Sequence, residues 1–260
     1  MKIAVCVKEV PDAGPNRRID PDTKRMDRSG DRSLNAFDLQ AVEGALRVKE
    51  AAGDGEVVLV SMGQSRALES IRKALAMGAD RAVLVSDEAA AGSDLVATSY
   101  VLARALERES PDLVVFGQQA SDSDGAVMWA AVAERLRMPV ISQISELEVG
   151  DGHVVAKRQT EFGYDRIRAP LPAVIAVSDA LNEPRYPSLK GIMGAKKKPQ
   201  EVLSLSDLGV EGDRVGEAGS RTQVRELTPP PSRGERLTIT NEDGTAAEKV
   251  MEFLVERKFV

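Results

Sequence analysis

Four short apolar runs in the first half constrain this chain most: Ile3–Val7, Val57–Val60, Ala82–Val85 and Leu113–Phe116. Each is rich in valine or leucine, and none alternates strictly with polar residues. Such runs read as strands buried on both faces of a sheet. Helical patterns lie between them. In Ser65–Met77, Leu68, Ile71 and Leu75 recur at spacings of three and four, while Arg66, Glu69, Arg72 and Lys73 fill the opposite face. Phe37–Glu50 and Leu95–Glu107 behave similarly, and Gly78 stands where a C-cap belongs. Strands alternating with helices predict an α/β fold, a Rossmann-like parallel sheet with right-handed crossovers and flanking helices. Ligands in such sheets bind beyond the carboxyl ends of the strands. The loops after Val7, Val60 and Phe116 are therefore the first candidates.

The pattern changes after Pro139. Ile144–Val149 and Val154–Thr160 flank Gly150-Asp151-Gly152, which predicts a small antiparallel hairpin. Pro172–Val177 reads as one more strand, and a turn-rich, basic stretch, Asn182–Pro199, follows. Residues 206–236 are rich in glycine, proline and charge, and Pro229-Pro230-Pro231 reads as an extended linker. Thr245–Glu256 carries a capping-box pattern, Thr245 with Glu248, and an apolar stripe of Val250, Phe253 and Leu254. The expected organisation is an α/β domain over 1–205 and a C-terminal linker and arm over 206–260. The terminal helix either packs on its own domain or embraces a partner subunit.

Composition narrows the function classes. Aromatic residues make up only 3%, so the core must be aliphatic. A net charge of −6 offers no broad excess of cations for nucleic acid. One cysteine, Cys6, excludes an internal disulfide, and one histidine, His153, excludes a multi-histidine metal site and disfavours a serine–histidine triad. No metal ligand set and no catalytic acid–base pair stands out. The opening run MKIAVCVKEV is too short for a membrane span or a signal segment. The expected setting is a reducing, cytoplasmic one, without membrane insertion.

Four places could carry chemistry. Cys6 ends the first strand beside a long polar loop, 9–34; a small core residue is the first reading and a ligand contact the second. In Ser33–Asp38, Asn35 is a candidate N-cap and Asp38 suits the positive helix end; an amide there could also read a purine edge. The stretch Gly117–Gly125 leads into a helix, so its backbone N–H groups can cradle an anion. Asp122 and Asp124 would repel a phosphate unless they cap the helix, bind ribose hydroxyls or face water. Neither GxxxxGK[ST] nor GxGxxG is present. Finally, Pro184 and Pro187 make Asn182–Lys190 stiff and non-helical, leaving Leu189 as a candidate exposed anchor beside Lys196-Lys197-Lys198. A solvated charge run is the alternative.

Taken as a string, LNEPRYPSLKGIMGAKKKP at 181–199 closely resembles the recognition loop of electron transfer flavoprotein beta subunits. VKEVPD at 7–12, AVEGA at 41–45, IRKALAMGADR at 71–81, LPAV at 171–174 and DLGV at 207–210 fit the same family, so the resemblance spans essentially the whole chain. It implies a heterodimer with an alpha subunit that holds most of the redox FAD. It implies structural AMP in this subunit, electrons from acyl-CoA or related dehydrogenases, and delivery to a membrane quinone oxidoreductase. By resemblance the AMP site maps to Cys6, Asn35, Phe37, Asp38, Met62, Gln119, Ser121, Asp122, Ser123, Asp124, Gly125, Ala126 and Val127, and on towards Trp129. Phe37 also comes close to the FAD. The partner loop comprises Asn182, Glu183, Pro184, Arg185, Tyr186, Leu189, Ile192, Met193 and Lys197.

Three departures from the family pattern matter. A Thr-Gly-Gln type sequence after the aspartates is replaced by Gly125-Ala126-Val127, which shifts phosphate binding to backbone N–H groups. The acidic stretch before LPAV becomes QTEFGYD at 159–165, and Gly194 stands where some relatives have lysine. Some relatives bind a second FAD here and bifurcate electrons; AMP is the favoured occupant. A stand-alone adenine-nucleotide module would not need the 182–199 loop. An adenylating enzyme would show an SGGxDS-type loop where this chain has Lys8–Asp12.

Overall fold

A computed structural model describes residues 1–12, 18–228, 231, 238–241 and 244–260. In chain order the strands are β1 Lys2–Cys6, β2 Glu9–Pro11, β3 Arg32–Leu34, β4 Glu56–Met62, β5 Arg81–Val85, β6 Leu113–Gly117, β7 Val140–Gly150, β8 His153–Thr160, β9 Gly163–Pro170, β10 Ala173–Val177 and β11 Gln200–Leu203. The helices are α1 Ala36–Ala52, α2 Leu68–Met77, α3 Leu95–Glu109, α4 Met128–Leu136, α5 Leu189–Ala195, α6 Gly216–Gly219 and α7 Ala246–Glu256.

The four apolar runs are β1, β4, β5 and β6. They sit inside a nine-stranded sheet of order β11-β5-β4-β1-β6-β10-β7-β8-β9. Pairing is parallel from β11 through β7 and antiparallel at β7–β8 and β8–β9. Period-2 alternation along each strand sends side chains to opposite faces. Ile3, Val5 and Leu59 pack with Val42, Leu46, Ile71 and Leu75 of α1 and α2. Ala4, Cys6, Val58 and Val60 pack with Val101, Leu106 and Val132 of α3 and α4. Burying each aliphatic side chain contributes about 1.5–3 kcal/mol, which explains how the sheet needs few aromatics.

The hairpin at Gly150–Gly152 forms, but it extends the main sheet and is followed by β9, which the sequence reading lacked. The 9–34 loop holds a further antiparallel pair, β2 with β3. The compact unit runs Met1–Val224, past the break expected at 205, because Leu208, Val210 and Val215 are buried. The second unit is Arg225–Val260 and contains α7, with Thr245 at its N-cap position. Pro229 and Pro230, and with them the extended-linker expectation, lie outside the described residues. Among the described residues no helix is long and apolar enough to cross a membrane.

Candidate functional site

The chain builds outward from β1 to β4 and β5, then returns to place β6 on the other side of β1. This reversal makes the carboxyl ends of β1 and β6 the topological switch point, where ligands bind in open α/β sheets. The start of α1 lies directly over it. A Cβ on Gly117 would sit 2.6 Å from both Asp38 Oδ1 and the Phe37 carbonyl carbon, so only glycine lets the helix approach β6 this closely.

Asn35 occupies the N-cap position of α1, but its side chain makes no capping bond. Fully buried, it instead ties two segments together. Its Nδ2 donates to Asp38 Oδ1 and to the Gln119 carbonyl, both at 2.8 Å, and its Oδ1 accepts from Ser121 N–H at 3.1 Å. Sequence reasoning offered a cap or a base reader; the amide is committed to holding the loop after β6 against α1.

Asp38 accepts from Lys8 N–H at 2.8 Å as well as from Asn35. Burial pushes its carboxyl up to about 7, against the lowering effect of the Asn35 and Lys8 bonds and of the Lys8 charge. Cys6 lies buried at the end of β1. Burial, and then the neighbouring Asp38, pushes its thiol up, so it stays protonated and inert. This is the core role that the sequence put first.

Asp122 faces inward. Lys8 Nζ donates to it at 2.7 Å and Arg28 completes a second ion pair, while its own side chain is 0% exposed. Burial alone would raise its pKa; Lys8 and Arg28 outweigh that and hold it below the usual carboxylate range. A carboxylate shared by two cations no longer opposes an anion nearby.

The outer loop is otherwise open. Ser123 and Asp124 are exposed, their N–H groups bonded to the Ala120 carbonyl at 3.1 and 2.8 Å. Gln119 Nε2 reaches Asp124 Oδ1 at 3.2 Å. Asp124 and Ala126 adopt φ of 45° and 47°, and Gly125 faces open space. Val127 then opens α4 without a side-chain cap. A helix start leaves backbone N–H groups without intrahelical partners, and with small residues before it this is a place where an anion can be held. Phe37 is half-buried on α1, and Met62 ends β4 partly buried against the α3–α4 face.

The second candidate region is 182–199. It is irregular to Pro187, as expected, but Leu189–Ala195 forms α5, contrary to the non-helical expectation. Ser188 Oγ caps it by accepting from Gly191 N–H at 3.0 Å. Helical spacing puts Leu189, Ile192 and Met193 on one stripe, and they are 82%, 54% and 74% exposed. Tyr186 is also exposed, and Ala195 is buried on the opposite side. Glu183, Lys196 and Lys197 are exposed, and Pro184 is half-buried. Asn182 and Arg185 turn inward to α1.

The electron transfer flavoprotein domain family matches residues 23–208. The electron transfer flavoprotein subunit beta of Mycobacterium tuberculosis is 39% identical, covering 99% of this chain and 99% of the relative. The chain belongs to the electron transfer flavoprotein family, as a beta subunit. The beta subunit of Megasphaera elsdenii is 36% identical with both chains covered in full, at 100%. The caffeyl-CoA reductase-Etf complex subunit CarD of Acetobacterium woodii is 39% identical over 99% of this chain and 97% of its own. A beta subunit works as half of a heterodimer with an alpha subunit, and with dehydrogenases. It transfers electrons and is not itself the catalyst.

Sequence reasoning missed Arg28 and Lys8 as the cations that neutralise Asp122. Arg28 lies in a polar loop without periodicity, 94 residues away from Asp122. Nothing local marks it. The apolar spacing 189/192/193 was the available signal for α5.

Proposed function

We propose that this beta subunit holds structural AMP over the β1–β6 switch point and docks a dehydrogenase on α5. FAD, held mainly by the alpha subunit, accepts the dehydrogenase's electrons and passes them on to a quinone oxidoreductase. The observation that carries the docking role is the α5 stripe. Three large apolar side chains stand exposed on a helix whose other side is fixed to the domain. Aliphatic anchors of this kind suit a pocket on a partner. The relative named for a caffeyl-CoA reductase complex supports a partner that works on CoA thioesters, such as an acyl-CoA dehydrogenase.

For AMP, the residues present fit. Asp122 is neutralised, and the phosphate falls to backbone N–H groups of Gly125–Met128, consistent with a loop lacking basic or hydroxyl side chains there. Ser123 and Asp124 remain for ribose hydroxyls. A cytoplasmic, soluble carrier is the setting this reading implies. Co-expression with the alpha subunit, followed by nucleotide extraction and mass analysis, tests it. One AMP and one FAD per heterodimer are expected. Two FAD and no AMP would establish the bifurcating alternative, and failure of the chains to associate would sink the proposal altogether.

A further inference from the structure

We infer that Arg185 is a positioning residue: it fastens the docking segment to α1, so that Leu189, Ile192 and Met193 meet a partner in one fixed place. This rests on the docking role proposed for α5. The Arg185 guanidinium is spent on two carboxylates of α1. Nε donates to Glu43 Oε2 at 2.7 Å and Nη2 to Glu43 Oε1 at 3.2 Å. Nη1 and Nη2 donate to the two oxygens of Glu50 at 2.5 and 3.0 Å. The Arg185 backbone N–H adds a bond to Glu43 Oε2 at 3.2 Å. Such a fork gives direction as well as attraction.

Glu43 suits the part of a fixed post. Its side chain is 3% exposed, and Arg47 holds it from a second side at 2.7 Å. Burial would raise its pKa; the bonds from Arg185 and Arg47 prevail and keep it below the usual range. Nearer the start of α1, the Gln40 carbonyl accepts from Asn182 Nδ2 at 3.0 Å. The far end of the segment is tied to α2. A Cβ on Gly191 would lie 2.3 Å from the Ala76 carbonyl, and Lys198 Nζ donates to the Leu75 carbonyl at 2.9 Å. With seven residues, α5 is too short to keep a helical shape or direction unaided. The ties at both ends must impose it. Because α1 also carries Asn35 and Asp38, the clamp fixes the docking stripe relative to the cradle.

A direct role for Arg185 in touching the partner makes a different prediction, which a double-mutant cycle separates. The co-expressed heterodimer is prepared as Arg185→Ala, Leu189→Ala and the double variant. The KM is measured with an acyl-CoA dehydrogenase that reduces the wild-type heterodimer, alongside flavin content. A positioning role gives a several-fold rise in KM for Arg185→Ala, unchanged flavin, and little further rise when Leu189→Ala is already present. Additive effects would mean that Arg185 contacts the partner itself, and would overturn the inference. An unchanged KM for Arg185→Ala overturns it too. Leu189→Ala without effect instead removes the docking reading. Should Arg185→Ala fail to assemble, the exposed Glu50→Gln variant tests the same clamp, with a smaller but equally non-additive rise expected and an unchanged KM counting against it.

Discussion

The cradle and the docking segment share one helix and use it in opposite ways. At its first turn α1 buries Asn35 and Asp38, which lock the loops after β1 and β6 in place. On its outer side α1 offers Glu43 and Glu50, which lock 182–185. In both regions buried or half-buried polar side chains are consumed in fixing the chain, Asn35, Asp38 and Asp122 in the cradle and Asn182 and Arg185 in the docking segment. The groups facing outward include backbone N–H groups at the start of α4 and aliphatic side chains on α5, alongside the exposed Asp124, Glu183, Lys196 and Lys197. A motif rich in Asp, Lys and Arg is thus not evidence that those residues meet the ligand. Here Asn35, Asp38, Asp122 and Arg185 are spent on holding the chain itself.

If α1 is the common mount, disturbing it should damage both regions together. Gly117→Ala has the largest expected effect, because the new methyl would overlap the Phe37 backbone and there is no flexible side chain to yield. A loss of about 1–3 kcal/mol in urea unfolding is expected, together with lower AMP content and a raised KM for the dehydrogenase. AMP loss with normal docking would break the idea of a shared mount. Leu189→Ala should act on one region alone. Electron transfer from the dehydrogenase is expected to fall by an amount equivalent to about 1–2 kcal/mol, with AMP and FAD retained. Lost flavin with normal docking would contradict it. Asp122→Asn is the mirror case, confined to the cradle. Lys8 and Arg28 are 39% and 38% exposed, so solvent screens much of the lost pairing. A stability loss of about 1 kcal/mol or less is expected, with the dehydrogenase KM unmoved.

How much of this could be read beforehand depended on burial. β1, β4, β5, β6 and β10 were legible because strands covered on both faces must be aliphatic throughout. β9 and β11 were not. They are the two edges of the sheet, and Tyr164, Asp165 and Arg166 or Gln200 and Glu201 answer to solvent and give no core signal. The glycines at 191 and 194 masked α5 in the same way, by lowering its local helix preference. In the site, Asn35 and Asp38 could be placed at a helix start by pattern alone. Their partners could not, since Gln119 is 84 residues from Asn35 and Lys8 is 30 residues from Asp38. The resemblance to a family pointed at both regions, yet only the coordinates separated residues that build them from groups that face outward.

The effect most specific to the cradle comes from the sign of the Asp38 shift. The carboxyl titrates near 7 in the folded chain, above its ordinary value of 3.8, because of burial. Between those two values the folded state holds a proton that the unfolded state has released. Stability from this group is therefore complete below about pH 4 and is lost as pH rises through 7. Carboxylates held low by partners, among them Glu43, Glu109 and Asp122, act in the other direction and lower on the scale, losing their contribution only in acid. The Cys6 thiol is pushed above 9 and stays silent at neutral pH. A comparison of urea midpoints between pH 5.5 and pH 8 thus falls in a window where Asp38 acts without those groups. Relative to wild type, Asp38→Asn should abolish a decline across that interval while removing one acceptor from the Lys8–Asn35 pair, so its midpoint should be lower at pH 5.5 and converge on wild type at pH 8. Parallel declines in the two proteins would mean that Asp38 is ionised throughout that interval and that another group sets the decline.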